Sequence, residues 1–427
     1  MNNKSGTAAN TRKSYFVPMV IISSLFFIFG FVTWLNGILI PYLKIACQLS
    51  DYQALFVAFA LYISYTIMAL PSSWILKKTG LKNGMMVGLW VMATGTLIFI
   101  PAAIMRTYTI FLIGLFVMGT GLAILQTASN PYVTIMGPQE SAARRISILG
   151  ILNKVAGAIA PLILAHYILN DGDAFIANLS TLNPAYQIAA LDQLARRVIN
   201  PYIVMTIVLF LLGIVVRLSG LPELEMESEK DMSSNQIEPK KNILGYPHLI
   251  LGVIALFFYV GVEVIAGDTI IRYGQSLGIA IDKAKAFTSY TMATMVLGYI
   301  LGIVLIPKIM SQQFALQISA SLGILFAIGA IFTSGFTSVI FVALFGLSNA
   351  IVWPAIWPLA LHNLGKFIKT GSALLIMAIS GGAILPLLWG TLSDLFGAQN
   401  AYWIMVPGYL VILFYSVKGY KIRSWTS

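Results

Sequence analysis

Apolar residues run along this chain in blocks of about twenty, separated by short polar or basic stretches. A helix needs roughly 20 consecutive apolar residues to cross a hydrocarbon layer about 30 Å thick. Twelve blocks reach that scale, near residues 15–43, 52–76, 83–104, 108–135, 145–169, 199–219, 247–272, 286–308, 313–333, 336–364, 371–392 and 400–418. The pattern predicts an all-α membrane protein of twelve transmembrane helices. One long polar stretch, LPELEMESEKDMSSNQIEPKK from Leu221 to Lys241, divides the blocks evenly. It reads as a solvated linker, residues 220–246, between a six-helix half at 1–219 and another at 247–427. The other sizeable loop, about 170–198, contains TLNPAYQIAALDQLARR and is expected to form a short surface helix.

The two halves carry a faint repeat. SNPYVT (Ser129 to Thr134) puts a proline in the fourth block, and VWPAIW (Val352 to Trp357) puts one in the tenth. GAIAP (Gly157 to Pro161) and GAILP (Gly382 to Pro386) then occupy the fifth and eleventh. Two parallel halves joined by a linker, with a site at mid-membrane between them, describe the major facilitator fold.

Basic residues set the expected orientation, because cytoplasmic loops of membrane proteins are enriched in Lys and Arg. Eighteen fall on one side, among them Lys77, Lys78, Lys82, Arg144, Arg145, Arg217, Lys240 and Lys241. Seven fall on the other: Lys44, Arg106, Arg196, Arg197, Arg272, Lys283 and Lys285. Both termini are therefore expected in the cytoplasm, and the net charge of +11 reflects topology rather than nucleic-acid binding. The location implied is a bacterial inner membrane, with the lipid bilayer as the main partner and a monomer as the expected state.

Composition agrees with this and removes other classes. The chain is 58% hydrophobic and 10% charged, where soluble proteins carry about 25% charged residues. Polar residues through Lys13 lead straight into a block too long for a signal-peptide core, so no cleavable leader is expected. A single cysteine, Cys47, and three dispersed histidines exclude disulfides and any recognisable metal site. Without a Walker-type loop or a nucleophile–base constellation, neither an ATP-driven pump nor an enzyme is expected.

Ionisable groups at membrane depth are costly and mark function. Glu263 and Asp268 are the acids well inside a block, both in FFYVGVEVIAGDTIIRY. Asp268 stands four residues from Arg272 and is expected to pair with it. Five residues turn a helix by about 500°, so the two acids point roughly 140° apart. Glu263 has no local partner and is read as a sugar acceptor, cation ligand or proton site. Lys154, in ILNKVAGAIAP, lies too deep to reach water easily, and Glu263 is its best partner by depth. That pair reads either as a structural bond between the halves or as a switch, with cytoplasmic water as the alternative for Lys154.

Amide side chains offer a donor and an acceptor that bridge adjacent sugar hydroxyls, and aromatic rings stack on sugar C–H faces. The blocks supply Asn36, Gln126, Asn130, Asn153, Asn349 and Asn363, with Trp34, Tyr62, Tyr65, Trp353 and Trp357. Helix–helix packing is the competing role for any membrane asparagine.

Four runs make these residues familiar: LNGILIP (Leu35 to Pro41), LQTASNPYVTIMGP (Leu125 to Pro138), FFYVGVE (Phe257 to Glu263) and IRYG (Ile271 to Gly274). They resemble the fucose–galactose–glucose symporter family of the major facilitator superfamily, over nearly the whole chain. Gln126 and Glu263 resemble the glucose/galactose permease branch; the fucose carriers have glutamate and glutamine at the matching places. The resemblance implies sugar transport coupled to Na+ or H+. Two departures stand out. Gly37 replaces an aspartate implicated in proton coupling, and Lys154 replaces a small residue. The expected function is symport of a hexose such as glucose or galactose by alternating access. Sugar would bind near Gln126, Asn153, Glu263, Asn349, Asn36, Asn130, Tyr65 and Trp353, and Glu263, Lys154 and Asp268 would serve coupling or ion pairing. The alternatives are an uncoupled uniporter, a carrier of an amino or deoxy sugar and, remotely, a sugar sensor; a channel would show much faster flux and no counterflow.

Overall fold

Each apolar block becomes helix because a backbone in lipid must satisfy its own hydrogen bonds. The computed structural model describes residues 5–135, 142–221, 242–306, 309–364 and 367–425. The expected linker from Leu221 to Lys241 falls outside them but for Leu221, as does the end of the fourth-block motif.

Among the described residues eleven helical stretches are long and apolar enough to cross a membrane. One of them, Asp51–Met105, spans 55 residues. Its main helix, Phe56–Met105, has 50 residues, about 75 Å at 1.5 Å per residue, more than twice the hydrocarbon thickness. It folds back at Gly80, whose φ of +75° and ψ of 174° leave the helical region. Only glycine adopts that conformation without strain, and it sits in the basic cluster of Lys77, Lys78 and Lys82. Counting this reversal gives twelve crossings.

Among the described residues several crossings are interrupted, and three of these bear on the site. The first consists of Ser5–Trp34 and Asn36–Ala46, the seventh of Pro247–Asp268 and Ile270–Ser276, and the tenth of Gly335–Asn349 and Val352–Leu361. Pro354 stands in the first turn of the last of these, where a missing N–H costs nothing. The tenth crossing ends earlier than the apolar pattern suggests. Asn363 lies beyond the end of that helix, exposed and with φ of +57°.

The 170–198 loop forms two helices rather than one, Gly172–Leu179 and Pro184–Arg196. The second starts with Asn183 as N-cap, its Oδ1 accepting from the Tyr186 N–H at 3.1 Å, and with Pro184 in the first turn. Its apolar side buries Leu191, Leu194 and Ala195, and the Tyr42 hydroxyl donates to the Leu194 carbonyl at 2.8 Å.

The first six and last six crossings meet most firmly at the end that carries these loop helices. Arg272 Nε lies 3.1 Å from an Asp51 carboxylate oxygen, and an Arg272 amine donates to the Asp51 carbonyl at 3.0 Å. Asp173 accepts from the backbone N–H groups of Ile281 and Asp282 at 3.0 and 2.9 Å. Lys285 Nζ reaches the Leu169 carbonyl at 3.2 Å. Deeper in, the Ser289 hydroxyl donates to the Ala158 carbonyl at 2.5 Å. Towards the opposite end the Tyr299 ring packs on Gly150.

Within each set, some helices touch backbone to backbone. A Cβ on Gly30 would fall 1.8 Å from the Asn153 carbonyl oxygen of the fifth crossing. One on Gly381 would fall 1.8 Å from that of Phe257 in the seventh. The repeated glycines behave alike: Gly157 receives the Trp34 ring of the first crossing, and Gly382 receives Val264 of the seventh with Tyr62 of the second.

Candidate functional site

Glu263 lies on the long helix Pro247–Asp268, of which every residue from Tyr259 onward is buried. Regular helix at this depth leaves a carboxylate with no backbone partner, so whatever balances it must come from another crossing. Lys154 does so. Its Nζ lies 2.8 Å from Glu263 Oε1, the two side chains being 10% and 12% exposed. The ammonium also sits 4.5 Å from the centre of the Trp34 ring, a desolvated cation–π contact. Trp34 is positioned because Gly157, one turn along from Lys154, leaves room for its indole.

Around this pair stands a group of buried tyrosines, of which only Tyr62 stood among the aromatic candidates of the sequence. Tyr259, Tyr299 and Tyr409 lie close enough to feel the charge of Glu263, as does Tyr62. Tyr259 precedes Glu263 by one helical turn, a spacing visible in the sequence; the others arrive from three different crossings.

The amides fall into three situations. Gln126 donates to the Tyr65 hydroxyl at 2.8 Å, which joins the fourth crossing to the second and leaves its carbonyl oxygen free of any protein donor among the bonds described. Asn153, one residue before Lys154, donates to the Phe26 carbonyl of the first crossing at 3.3 Å. Asn349 is 1% exposed; its Oδ1 accepts from the Tyr409 hydroxyl at 2.9 Å and its Nδ2 has no partner. It stands where the tenth crossing is broken. Trp353 stacks on Trp357 with ring centres 5.3 Å apart and lies 6.4 Å from the Tyr259 ring. The side chain of Asn130 lies outside the described residues.

Asp268 does not pair with Arg272. The guanidinium goes instead to Asp51, lies 4.8 Å from the Trp389 ring centre and reaches the Ser393 hydroxyl at 3.5 Å. The helix breaks at Thr269, between the acid and the arginine, so the two are not on one continuous helical face. Asp268 is fully enclosed and its carboxyl makes no hydrogen bond of good geometry. The Asn36 amide lies beside it, likewise unpaired. Next to Asn36, a Cβ on Gly37 would meet the Thr288 Oγ1 at 2.4 Å. Glycine there lets the first crossing lie against the eighth, and any longer side chain would have to displace Thr288.

Twelve crossings with interrupted helices and a charged pair at mid-depth define a membrane carrier of the major facilitator kind. The chain belongs to the Major Facilitator Superfamily, whose pattern matches residues 22–385. It is 34% identical over 423 residues to a glucose/galactose transporter of Brucella abortus, covering 98% of both chains. It is also 30% identical over 397 residues to the L-fucose-proton symporter of Escherichia coli, with 91% of this chain and 90% of that one covered. Among solved structures, the transporter FucP in its outward conformation superposes with a TM-score of 0.73 at 28% identity, covering 94% of this chain and 98% of its own. A D-xylose-proton symporter shares the fold, with a TM-score of 0.69 at 16% identity over 95% and 97% of the two chains.

Proposed function

We propose that this transporter carries a hexose, glucose or galactose, across the bacterial inner membrane by alternating access and in symport with a monovalent cation. The observation that carries the reading is the Lys154–Glu263 pair, which ties the first six crossings to the last six at mid-depth. An ion pair there is strong only while water is excluded. A sugar entering between the two sets would bring hydroxyls that solvate both charges, so its arrival and the loosening of the pair belong to one event. Gln126, Asn153 and Asn349 supply amides around that point, with Asn36 further along it, and Tyr65 and Trp353 supply ring faces. The name of the Brucella relative supports glucose or galactose as the substrate; that of the Escherichia coli fucose carrier supports coupling to a cation.

In this reading residues 1–219 and 247–427 are the two moving halves, joined by a cytoplasmic linker at 220–246. Both termini are cytoplasmic by the basic-residue bias, and one chain is the working unit.

The deciding experiment is uptake of radiolabelled glucose and galactose into proteoliposomes under imposed Na+ or H+ gradients. Symport predicts accumulation above the external concentration, lost in Glu263→Gln. Counterflow without accumulation under either gradient would establish a uniporter, with Lys154 standing where a coupling cation would otherwise bind. Failure of both sugars to bind or move would refute the hexose assignment.

A further inference from the structure

Two ion pairs account for most of the buried charge of this core, and one carboxyl is left over. Lys154 is matched by Glu263. Arg272 is matched by Asp51, with Asp394 also near its guanidinium. Among the described residues Asp268 is matched by no cation: it is 0% exposed, and the polar group beside its carboxyl is the Asn36 amide.

The charged and titratable groups that face Asp268 are few. The second crossing contributes Tyr62. Its own helix contributes Glu263, a like charge; Arg272, beyond the break at Thr269, is committed to Asp51. The first crossing presents Asn36 and the Trp34 ring, which rests on Gly267. From the eighth come Thr288 and Thr291, whose hydroxyls donate to the carbonyls of Gly267 and Ala266 at 2.7 and 3.3 Å. Those bonds hold the backbone oxygens beside the carboxyl in place, and a proton is the smallest charge that can neutralise the acid there.

The location is also mechanical. The first crossing breaks at Leu35, one residue before Asn36, and the seventh breaks at Thr269, one residue after Asp268. The two interruptions meet, so the charge at this point acts on the joints of both helices.

The geometry points to Asp268 as the residue that takes up one proton per sugar carried, with Asn36 as its neighbour across the two broken helices. This rests on the symport reading above. The step is a simple protonation: the carboxylate gains H+ from water on the side where sugar enters and releases it on the other, with no other bond made or broken. With Lys154, Glu263 and Asp268 all ionised the group carries one net negative charge; with Asp268 protonated it is neutral and can close around the sugar without water. Glu263 keeps its charge through its lysine, and Asp268 supplies the exchangeable site.

The test compares wild type, Asp268→Asn and Asp268→Glu, each first shown to be monodisperse in detergent. In lightly buffered detergent solution, sugar binding to wild type should alkalinise the medium by close to one proton per site. Asp268→Asn should remove that signal, and Asp268→Glu should restore it. In proteoliposomes, Asp268→Asn should reduce proton-driven accumulation at least ten-fold more than it reduces exchange of labelled for unlabelled sugar. Equal loss of both would assign Asp268 a structural role and overturn the proposal, as would retained accumulation in Asp268→Asn. Wild-type accumulation driven by Na+ alone would keep symport and overturn the proton site. Exchange without any accumulation in wild type would refute the symport reading itself.

Discussion

Lys154 Nζ lies 2.8 Å from Glu263 Oε1 and 4.5 Å from the centre of the Trp34 ring. The lysine is thus enclosed between an anion of the last six crossings and an aromatic face of the first. Its charge is satisfied without water only when both sets are together at mid-depth.

Breaking that pair one-sidedly should be worse than removing it. Lys154→Met alone, or Glu263→Gln alone, leaves an uncompensated buried charge and should destabilise the protein by about 3–5 kcal/mol. The double variant should recover most of that loss while transport stays impaired. Thermal unfolding in detergent, read beside sugar uptake, separates the two effects.

Arg272 and Asp51 should hold one end of the carrier shut, and Cys47 is a native reporter for that end. Burial raises its thiol to about 11, so little thiolate exists at pH 7. Because the thiolate is the reactive form, maleimide labelling should rise about ten-fold per pH unit up to that value and then level off. Asp51→Asn or Arg272→Ala should release the end and raise the rate at pH 7 by about ten-fold. A rate independent of both changes would show that this pair does not restrain the opening.

Gly30→Ala and Gly381→Ala should each disturb packing, because the added methyl meets a backbone carbonyl that cannot rotate away. Overpacking of this kind costs about 1–3 kcal/mol. Gly220→Ala, with nothing within 4 Å of the added atom, is the control. Melting temperatures of the three variants give the comparison.

Gln126→Ala should raise the KM for sugar about ten-fold and leave thermal stability nearly unchanged, since the amide's described protein partner is a single tyrosine hydroxyl. A large fall in stability with unchanged KM would make it a packing residue.

The crossings were legible in the sequence because lipid imposes one rule on every block, and the Gly80 reversal was marked by its lysines. The Lys154–Glu263 pairing was foreseeable from depth alone, since two opposite charges in hydrocarbon have few other choices. The partner of Arg272 was not. Asp268 is the nearer acid in the chain, yet the break at Thr269 separates them and Asp51 arrives from 221 residues away. Of the tyrosines around Glu263, Tyr62 was among the candidate ring faces, but Tyr299 and Tyr409 were hidden for the same reason: they come from other crossings, and nothing in their spacing announces a common point. Asn363 was counted in the tenth block because that block was drawn out to Leu364, whereas the helix ends at Leu361.

The backbone contacts at Gly30 and Gly381 bear on how such a molecule moves. Helices that touch through their main chains have no side-chain cushion to absorb a shift, so each pair travels as one piece. The seam between the two sets is made instead of charges, hydroxyls and rings, all of which can exchange a protein partner for water or sugar. Deformation is thereby directed to the seam, and a small solute lodged there works against stiff walls, where a change of one ligand's size is felt across the whole thickness of the membrane.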